Sequence, residues 1–401
     1  MITIQSLLEA EARVTPHIIR TPLVFSPTFS EMTGACVYLK LETLQKAGSF
    51  KVRGATNKIL CNLAAAKAHG VVAASAGNHA QGVAVAAGRA GVAATIVMPV
   101  WASVAKQEAT KGYGARVVLS GQTLEESVLT AQSLAREGML FIHPYDDPDV
   151  IAGQGTIGLE ILHDLPETDQ IVVPVGGGGL IAGIAVAAKA LKPSCTITGI
   201  QAEACPSVYE AIRTGKPACA LPKPTLADGI RVAQAGSVAL PLIRDLVERI
   251  ILVDEDAIAD AVLALIERKK VIAEGAGAAP LAALLAGSIA PEPGSTVVLV
   301  ISGGNIDSPL LERTIRHALL RRGRILPCTV ILEDRAGSLA GLLLIIAREQ
   351  GNILHIHHDR SAPGLPVGSV RIRIEIETRG TDHGRAILAA LETAGYRYEQ
   401  G

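Results

Sequence analysis

The chain has 401 residues, of which 49% are hydrophobic, 19% charged and 3% aromatic, with a formal net charge of −1. The balanced charge and the scarcity of aromatic rings argue against a nucleic-acid partner. No stretch reaches the roughly 18 consecutive apolar residues of a membrane span, and the first residues do not resemble a secretory signal. The six cysteines form no C-x-x-C pair. We therefore expect a cytoplasmic protein of two or three folding units, with reduced thiols.

From about residue 50 to residue 310, short β-branched runs alternate with alanine-rich helical patterns. The predicted strands are residues 71–74, 94–98, 116–119, 171–175, 196–201 and 296–301. The predicted helices are residues 53–66, 79–90, 101–111, 124–137, 181–191, 257–270 and 278–286. This alternation predicts an α/β fold with parallel strands covered on both faces. Ligands of such sheets bind beyond the carboxyl ends of the strands.

The pattern changes after the basic residues 321–324. The remaining chain reads as strand 326–332, helix 339–350, strands 352–360 and 368–377, helix 381–394 and a short strand 396–399. This order, with residues 333–339, 351–353 and 357–360, resembles the ACT domain, a ferredoxin-like module that binds small molecules. We therefore expect a catalytic domain over residues 1–320, with a smaller subdomain at about 50–145, and a regulatory domain over residues 326–401.

Lys51 directly follows the turn formed by Gly48, Ser49 and Phe50, where a helical pattern begins. Such a position can direct the amine into a cavity. A desolvated lysine loses proton affinity and becomes a nucleophile toward an aldehyde. The alternative is an ordinary solvated surface lysine.

A second motif, Ser75-Ala76-Gly77-Asn78-His79, lies between a predicted strand and a predicted helix. The unpaired N–H groups of such a turn bind a carboxylate or phosphate, and the Asn78 amide could hold a phenolate-like oxygen. The alternative is a simple helix cap.

A third motif, Gly176-Gly177-Gly178-Gly179, also joins a strand to a helix. Consecutive glycines allow the backbone to approach a phosphate closely and to direct N–H groups at it. The spacing does not fit a nucleotide-binding loop. A flexible loop is the alternative.

Ser302 begins a fourth motif after the predicted strand 296–301. Its hydroxyl could bond a ring nitrogen without protonating it, although a serine turn is an equal alternative. Taken together, the four motifs suit an aldehyde, a phosphate, a ring oxygen and a ring nitrogen. One ligand, pyridoxal phosphate, carries all four groups.

These motifs resemble the threonine dehydratase (threonine ammonia-lyase) branch of the fold-type-II, tryptophan-synthase-β-like pyridoxal-phosphate enzymes. The resemblance covers nearly the whole chain and is carried by residues 21–23, 40–42, 48–55, 75–84, 143–147, 151–160, 225–229, 274–277 and 302–307. It implies two open parallel-sheet subdomains, followed by the α+β ACT-like domain.

The resemblance also implies a role for each motif. Lys51 would be the catalytic residue that bonds the cofactor aldehyde, and Phe50 would pack against the ring. Asn78 would bind the ring oxygen and Ser302 the ring nitrogen. The phosphate would be held by Gly176, Gly177, Gly178 and Gly179, and the substrate carboxylate by Ser75, Ala76, Gly77, Asn78 and His79. Glu274 would lie near the cofactor, either in a direct role or as a helix N-terminal charge.

The reaction implied is the elimination of water and ammonia from L-threonine to give 2-oxobutanoate, the first step toward isoleucine, with L-serine giving pyruvate. A catabolic dehydratase activated by a nucleotide is an alternative. Serine racemases of this family carry a second serine where this chain has Ala76, which disfavours that activity. A non-catalytic amino-acid sensor is disfavoured because Lys51 is retained.

The ACT resemblance implies control by an amino-acid effector, isoleucine or valine, and family analogy implies a homotetramer. We expect no metal site. Glu203 is the one carboxylate in residues 201–207, where related racemases carry metal ligands. His355, His357 and His358 lack a partner at ligand spacing,.

Overall fold

The computed structural model describes residues 2–216, 218–219, 221 and 223–400. These residues form two compact units, Met1–Leu311 and Glu312–Gly401. The first unit contains two lobes, each built around its own sheet. We call residues 51–141 the small lobe and the rest of this unit the large lobe.

Helices cover much of the first unit. They are α1 (Ile4–Val14), α2 (Pro27–Thr33), α3 (Lys51–Cys61), α4 (Leu63–His69), α5 (Asn78–Ala90), α6 (Val104–Gly112), α7 (Leu124–Arg136), α8 (Pro148–Asp164), α9 (Gly179–Leu191), α10 (Ser207–Thr214), α11 (Ala239–Leu246), α12 (Glu255–Ala264) and α13 (Gly275–Leu285). Helix α14 (Ser308–Arg321) begins in the first unit and ends in the second. A 3₁₀ turn at Asp228–Ile230 and a π-helical turn at Leu265–Lys269 add to these.

The strands of the first unit are short and mostly buried. They are β1 (Leu23–Phe25), β2 (Cys36–Leu41), β3 (Val71–Ala74), β4 (Ala94–Met98), β5 (Arg116–Leu119), β6 (Leu140–Phe141), β7 (Gln170–Pro174), β8 (Thr196–Ala202), β9 (Arg249–Val253) and β10 (Thr296–Ile301). The predicted α/β class with two parallel-sheet subdomains is confirmed.

The order of the strands brings distant motifs to one edge of the large sheet. This sheet has the order β1-β2-β10-β7-β8-β9, and all its strands are parallel except β1, which is antiparallel to β2. Because β10 and β7 are neighbours, Ser302 and Gly176 follow adjacent strand ends. The small sheet, β5-β4-β3-β6, is parallel throughout, and Ser75 follows β3.

Glycines allow α8 to pack closely against α3 and α9. A Cβ atom on Gly153 of α8 would lie 2.7 Å from Cα of Gly54 in α3. A Cβ atom on Gly183 of α9 would lie 2.5 Å from the carbonyl oxygen of Ile151 in α8. Both distances are too short for a real Cβ, so these helices approach through bare backbone. The contact fixes the two helices that begin at Lys51 and Gly179.

A buried ion network ties the start of α3 to the large lobe. Arg53 is fully buried and bonds Glu42 and Glu160, with closest N–O distances of 2.7 Å to each. Lys40, also fully buried, lies 2.6 Å from Glu160. The network is electrically balanced and satisfies most of its donors, as buried charges require.

The second unit has its own antiparallel sheet. Its elements are β11 (Ile325–Glu333), α15 (Ser338–Arg348), β12 (Asn352–Asp359), β13 (Ser369–Glu377), α16 (Thr381–Thr393) and β14 (Tyr398–Gln400). The sheet order is β12-β13-β11-β14. Alternate residues of β11 and β13, such as Val330 and Ile372, are buried against Leu342 and Ile387 of the helices. The predicted βαββαβ order is confirmed.

The predicted element bounds hold better for strands than for helices. Strands β3, β4, β5 and β10 begin and end at the predicted residues. The prediction of one helix over residues 53–66 is wrong, because Asn62 leaves helical geometry (φ −122°) and separates α3 from α4. The predicted helix 257–270 ends its α-helical part at Ala264 and continues as the π-helical turn.

Within the described ranges, every helix is too short or too polar to cross a membrane. The same residues place no three His, Cys, Asp or Glu side chains where they could share a metal ion.

Candidate active site

Lys51 is the first residue of α3, and its position is fixed from both sides. The Phe50 N–H donates to the Ser302 carbonyl over 3.0 Å, so the turn before α3 is bound to the end of β10. The Lys51 ammonium donates to the Pro144 carbonyl at 2.7 Å. The side chain therefore points into the cleft between the lobes, not toward solvent.

Burial lowers the pKa of Lys51 to about 8, against an ordinary value of 10.5. The charge of Glu274 opposes this effect but does not cancel it. A lysine in this state is neutral in an appreciable fraction of molecules near neutral pH. It can therefore act as a nucleophile or a base.

The four glycines form a tight loop between β7 and α9. Gly178 has φ +100°, which favours glycine,. A Cβ atom on Gly177 would lie 2.3 Å from the Tyr145 ring, and one on Gly179 would lie 2.4 Å from the Tyr145 carbonyl oxygen. Any side chain at Gly177 or Gly179 would therefore clash with Tyr145. The start of α9 leaves backbone N–H groups that suit an anion.

Asn78 and Glu274 meet across the cleft. Asn78 Nδ2 donates to Glu274 Oε1 over 2.5 Å, and Asn78 Oδ1 accepts from Asn305 Nδ2 over 2.7 Å. Glu274 occupies the N-cap position of α13, but its side chain makes no capping hydrogen bond. Its carboxylate therefore faces the cleft, and the simple helix-terminus interpretation of Glu274 is incomplete.

The Glu274 carboxyl group has an unusual proton affinity. Burial raises its pKa from the ordinary value of 4.5 to about 7. The charge of Asp228 acts in the same direction, while the Asn78 hydrogen bond lowers the pKa. Near neutral pH, Glu274 can therefore hold or release a proton beside Asn78.

The Ser75–His79 turn is only partly directed at the cleft. The Ser75 hydroxyl accepts from the Gly77 N–H at 3.1 Å. The His79 ring is buried, donates from Nε2 to the Ile142 carbonyl at 2.8 Å, and has a pKa lowered to about 3 by burial and by the nearby Lys51 charge. His79 is thus a neutral structural ring, and its side chain does not line the cleft. Asn78 does line it.

One cleft contains all of the predicted cofactor residues. The cleft is lined by Phe50, Lys51, Asn78, Gly176, Gly177, Gly178, Gly179, Glu274 and Ser302, which were predicted, and by Tyr145, Pro174, Leu180, Gly229, Ile230, Val232 and Ala276, which were not. The structure therefore brings together residues that lie more than 250 positions apart in the sequence.

Comparison with known proteins shows the family. Residues 14–303 match the family described as pyridoxal-phosphate dependent enzyme. The chain belongs to this family of pyridoxal-phosphate-dependent enzymes.

Three known proteins illustrate the similarity. An L-threonine ammonia-lyase of Thermotoga maritima is 45% identical over 397 residues, which cover 99% of this chain and 98% of the relative. A catabolic L-threonine dehydratase of Staphylococcus aureus is 47% identical over 323 residues, covering 80% of this chain and 93% of the relative. The structure of maize serine racemase matches with a TM-score of 0.73 and 37% identity, covering 80% of this chain and 98% of that one.

The cleft of this pyridoxal-phosphate-dependent enzyme fits its cofactor. The cofactor carries an aldehyde and a phosphate, and the cleft offers a buried amine at Lys51 and the side-chain-free backbone of the glycine loop,. Ser302, which is 2% exposed, adds a neutral hydroxyl to the same cleft. The glycine loop carries no acidic side chain that would repel a phosphate.

Sequence reasoning gave no role to Tyr145, which packs over the glycine loop. Its hydroxyl donates to the Gln234 carbonyl at 3.3 Å, and its ring contacts His143 edge-on. A signal was available, because Tyr145 lies in the 143–147 segment that carries the family resemblance. Its contact with the loop was invisible without the fold. Ile230 and Val232 were missed for the same reason.

Proposed function

We propose that this enzyme is an L-threonine ammonia-lyase, converting L-threonine to 2-oxobutanoate and ammonia and also accepting L-serine. One observation carries the proposal: the Lys51 amine, held by the Pro144 carbonyl, and the glycine loop line the same cleft. The 45% identity to the Thermotoga maritima ammonia-lyase over almost the whole chain supports the choice of substrate.

In this proposal, each cofactor group has a partner in the cleft. The N–H groups of the Gly176–Gly179 loop hold the phosphate, and Lys51 bonds the aldehyde carbon. Phe50 packs against the ring, Asn78 binds the ring oxygen and Ser302 faces the ring nitrogen. Bound pyridoxal phosphate supplies an electron sink that stabilises negative charge on the substrate α-carbon.

Proton transfer is assigned to Lys51. Once the substrate amine has replaced Lys51 on the aldehyde carbon, the freed Nζ in its neutral form accepts the proton from the substrate α-carbon, which is possible because burial lowers the lysine pKa to about 8,. The same Nζ can return a proton to the departing β-hydroxyl, so that water leaves. The Pro144 carbonyl, 2.7 Å from Nζ, keeps the amine in the cleft.

The substrate carboxylate is assigned to the Ser75-Ala76-Gly77-Asn78-His79 turn. Helix α5 begins at Asn78, so the first N–H groups of the helix lack partners within it,. His79 contributes through its backbone, because its ring is bound to Ile142. Ala76 has no exchangeable proton, which favours elimination over racemisation.

The C-terminal unit is proposed as a regulatory domain over residues 326–401, following a catalytic domain over residues 1–320. Its cavity lies beside the β11–α15 loop and the chain before β14, and is lined by Arg335, Gly337, Ser338, Tyr396 and Arg397, among others. Positive side chains and the start of α15 suit the carboxylate of an amino acid, isoleucine or valine. We further propose a cytoplasmic homotetramer acting in isoleucine biosynthesis.

Two assays test these proposals. Purified enzyme should release 2-oxobutanoate from L-threonine, and Lys51→Ala should abolish this, whereas the control Lys67→Ala at the exposed end of α4 should not. An active Lys51→Ala variant would contradict the proposal. Titration with isoleucine should inhibit the full chain but not a chain lacking residues 326–401. An equal response of both would contradict the regulatory assignment.

A further inference from the structure

Lys106 connects the two lobes at one side of the cleft. It lies on α6 of the small lobe, where the Ser103 hydroxyl caps the helix by accepting from the Lys106 N–H. Its ammonium lies 3.4 Å from Asp228 Oδ2 and 3.7 Å from Asp307 Oδ2. Both carboxylates belong to the large lobe. One small-lobe cation therefore faces two large-lobe anions.

The two carboxylates belong to the segments that carry cleft residues. Asp228 begins the 3₁₀ turn whose next residues, Gly229 and Ile230, line the cleft. Asp307 lies two positions after Asn305, whose amide donates to Asn78 and to the Ala47 carbonyl, each at 2.7 Å. Ion pairs that fix Asp228 and Asp307 therefore also fix two segments that contribute residues to the cleft.

The ion pairs are only partly shielded from water. The Lys106 side chain is 17% exposed, while those of Asp228 and Asp307 are 48% and 34% exposed. Pairs of this kind are worth little to global stability. Their value is in geometry, because both pairs cross from the small lobe to the large lobe.

Lys106 also affects the electrostatics of the cleft. Burial is the main cause of the raised Glu274 pKa, Asp228 raises it further, and Lys106 acts in the opposite direction, as does Lys51. The charge of Lys106 therefore lowers the pKa of Glu274 through space, while the ammonium group pairs with Asp228. This agrees with a position beside the reacting groups but outside the cleft lining.

We propose that Lys106 is a positioning residue that ties α6 to Asp228 and Asp307, and so holds the walls of the cleft in the arrangement that binds the amino-acid substrate. It acts through these two aspartates and touches neither cofactor nor substrate. The kinetic part of this proposal rests on the proposed ammonia-lyase function. The structural part does not.

Three variants of the holoenzyme test the proposal. Lys106→Gln removes the charge and Lys106→Arg keeps it. Lys111→Gln is the matched control, because Lys111 lies on the same helix and pairs with Glu108 on the surface. Steady-state kinetics with L-threonine and amide hydrogen exchange are measured on each. Exchange reports on the lobes even if the enzyme acts on another substrate.

For Lys106→Gln, we expect KM to rise about 2- to 10-fold with a smaller change in kcat, in line with the modest strength of partly exposed ion pairs. Amide exchange should become faster at residues 228–230 and 302–307. Lys106→Arg should restore both properties, and Lys111→Gln should change neither.

Unchanged exchange at residues 228–230 in Lys106→Gln would overturn the proposal. So would an unchanged KM in an active enzyme, or a Lys106→Arg variant as impaired as Lys106→Gln, since the charge would then not be the determinant. If all variants and the parent fail to act on L-threonine, the proposed function fails, while faster exchange in Lys106→Gln would still support the link between the lobes.

Discussion

Asn78 Nδ2 lies 2.5 Å from Oε1 of Glu274, so a residue of the small lobe and one of the large lobe share a hydrogen bond inside the cleft. Glu274 is 4% exposed. A carboxyl group in this position is costly to ionise, which explains why its pKa is raised to about 7,. The lobes are therefore joined by a group whose charge changes near neutral pH.

The first prediction concerns the pH dependence of stability. The ordinary pKa of glutamate is 4.5, and burial raises that of Glu274 to about 7. Between these values the folded state holds a proton that the unfolded state has released, so this group makes stability fall as pH rises. Glu274→Gln should remove that loss. The free energy of unfolding of Glu274→Gln, relative to that of the parent, should therefore increase by roughly 1–3 kcal/mol as the pH rises from about 5 to about 8.

Urea titrations of the cofactor-free protein at both pH values measure this gain. Glu137→Gln, at an exposed helix end, is the control and should show no such difference. If Glu274→Gln and the parent differ equally at both pH values, Glu274 is not the buried titrating group inferred here.

The second prediction concerns the buried ion network. Arg53→Met leaves Glu42 and Glu160 without their main partner, and removing one member of a buried pair typically costs about 3–5 kcal/mol. Arg20→Met breaks a partly exposed pair with Asp164, and such pairs contribute about 0–1 kcal/mol,. The apparent free energies of unfolding in urea should differ accordingly. A similar small loss in both variants would show that the network does not anchor α3.

The third prediction concerns the glycine loop. In Gly179→Ala the added methyl group meets the Tyr145 carbonyl, a backbone atom, whereas in Gly177→Ala it meets the Tyr145 ring, which can rotate away. Pyridoxal phosphate should therefore bind more weakly to both variants than to the parent. The weaker binding is expected for Gly179→Ala, with an affinity reduced about tenfold or more, the equivalent of about 1.4 kcal/mol. Fluorescence titration measures this. Gly112→Ala, with open space around it, is the control.

Equal affinity of Gly179→Ala and the parent would mean that the loop does not hold the phosphate.

The sequence predicted only part of the lining of the cleft. Lys51, Asn78, Ser302 and the four glycines each follow a strand or open a helix, a local pattern that can be read without the fold. Tyr145 and Val232 reach the cleft only because α8, α9 and the large sheet pack as they do. No local pattern reports such contacts.

The lack of a local pattern also explains why some helices were missed or given the wrong bounds. Helix α8 was not predicted, because it is buried on nearly every side and has glycines at its helix contacts, so it lacks an amphipathic pattern,. The break at Asn62 follows from one side chain, whose Nδ2 donates to the Lys58 carbonyl at 2.9 Å. Strands β3, β4 and β10, which are mostly apolar and flanked by turns, were easier to place,.

The fourth prediction separates elimination from racemisation. With L-serine, the parent should form much less D-serine than pyruvate, because Ala76 cannot carry a proton. Ala76→Ser should raise the ratio of D-serine to pyruvate, since it introduces a hydroxyl at the position where the family resemblance implies the second serine of serine racemases. Chiral chromatography with a pyruvate assay measures both products. A parent ratio near unity would favour a racemase.

The most direct test is to locate the lysine that binds the cofactor. The holoenzyme is treated with borohydride, digested and mapped by mass spectrometry, which fixes the cofactor to the lysine that carries it. We predict that the added mass lies on the peptide containing Lys51, and that the Lys67→Ala control gives the same map. Label on another lysine, or a parent enzyme that retains no label, would contradict the account.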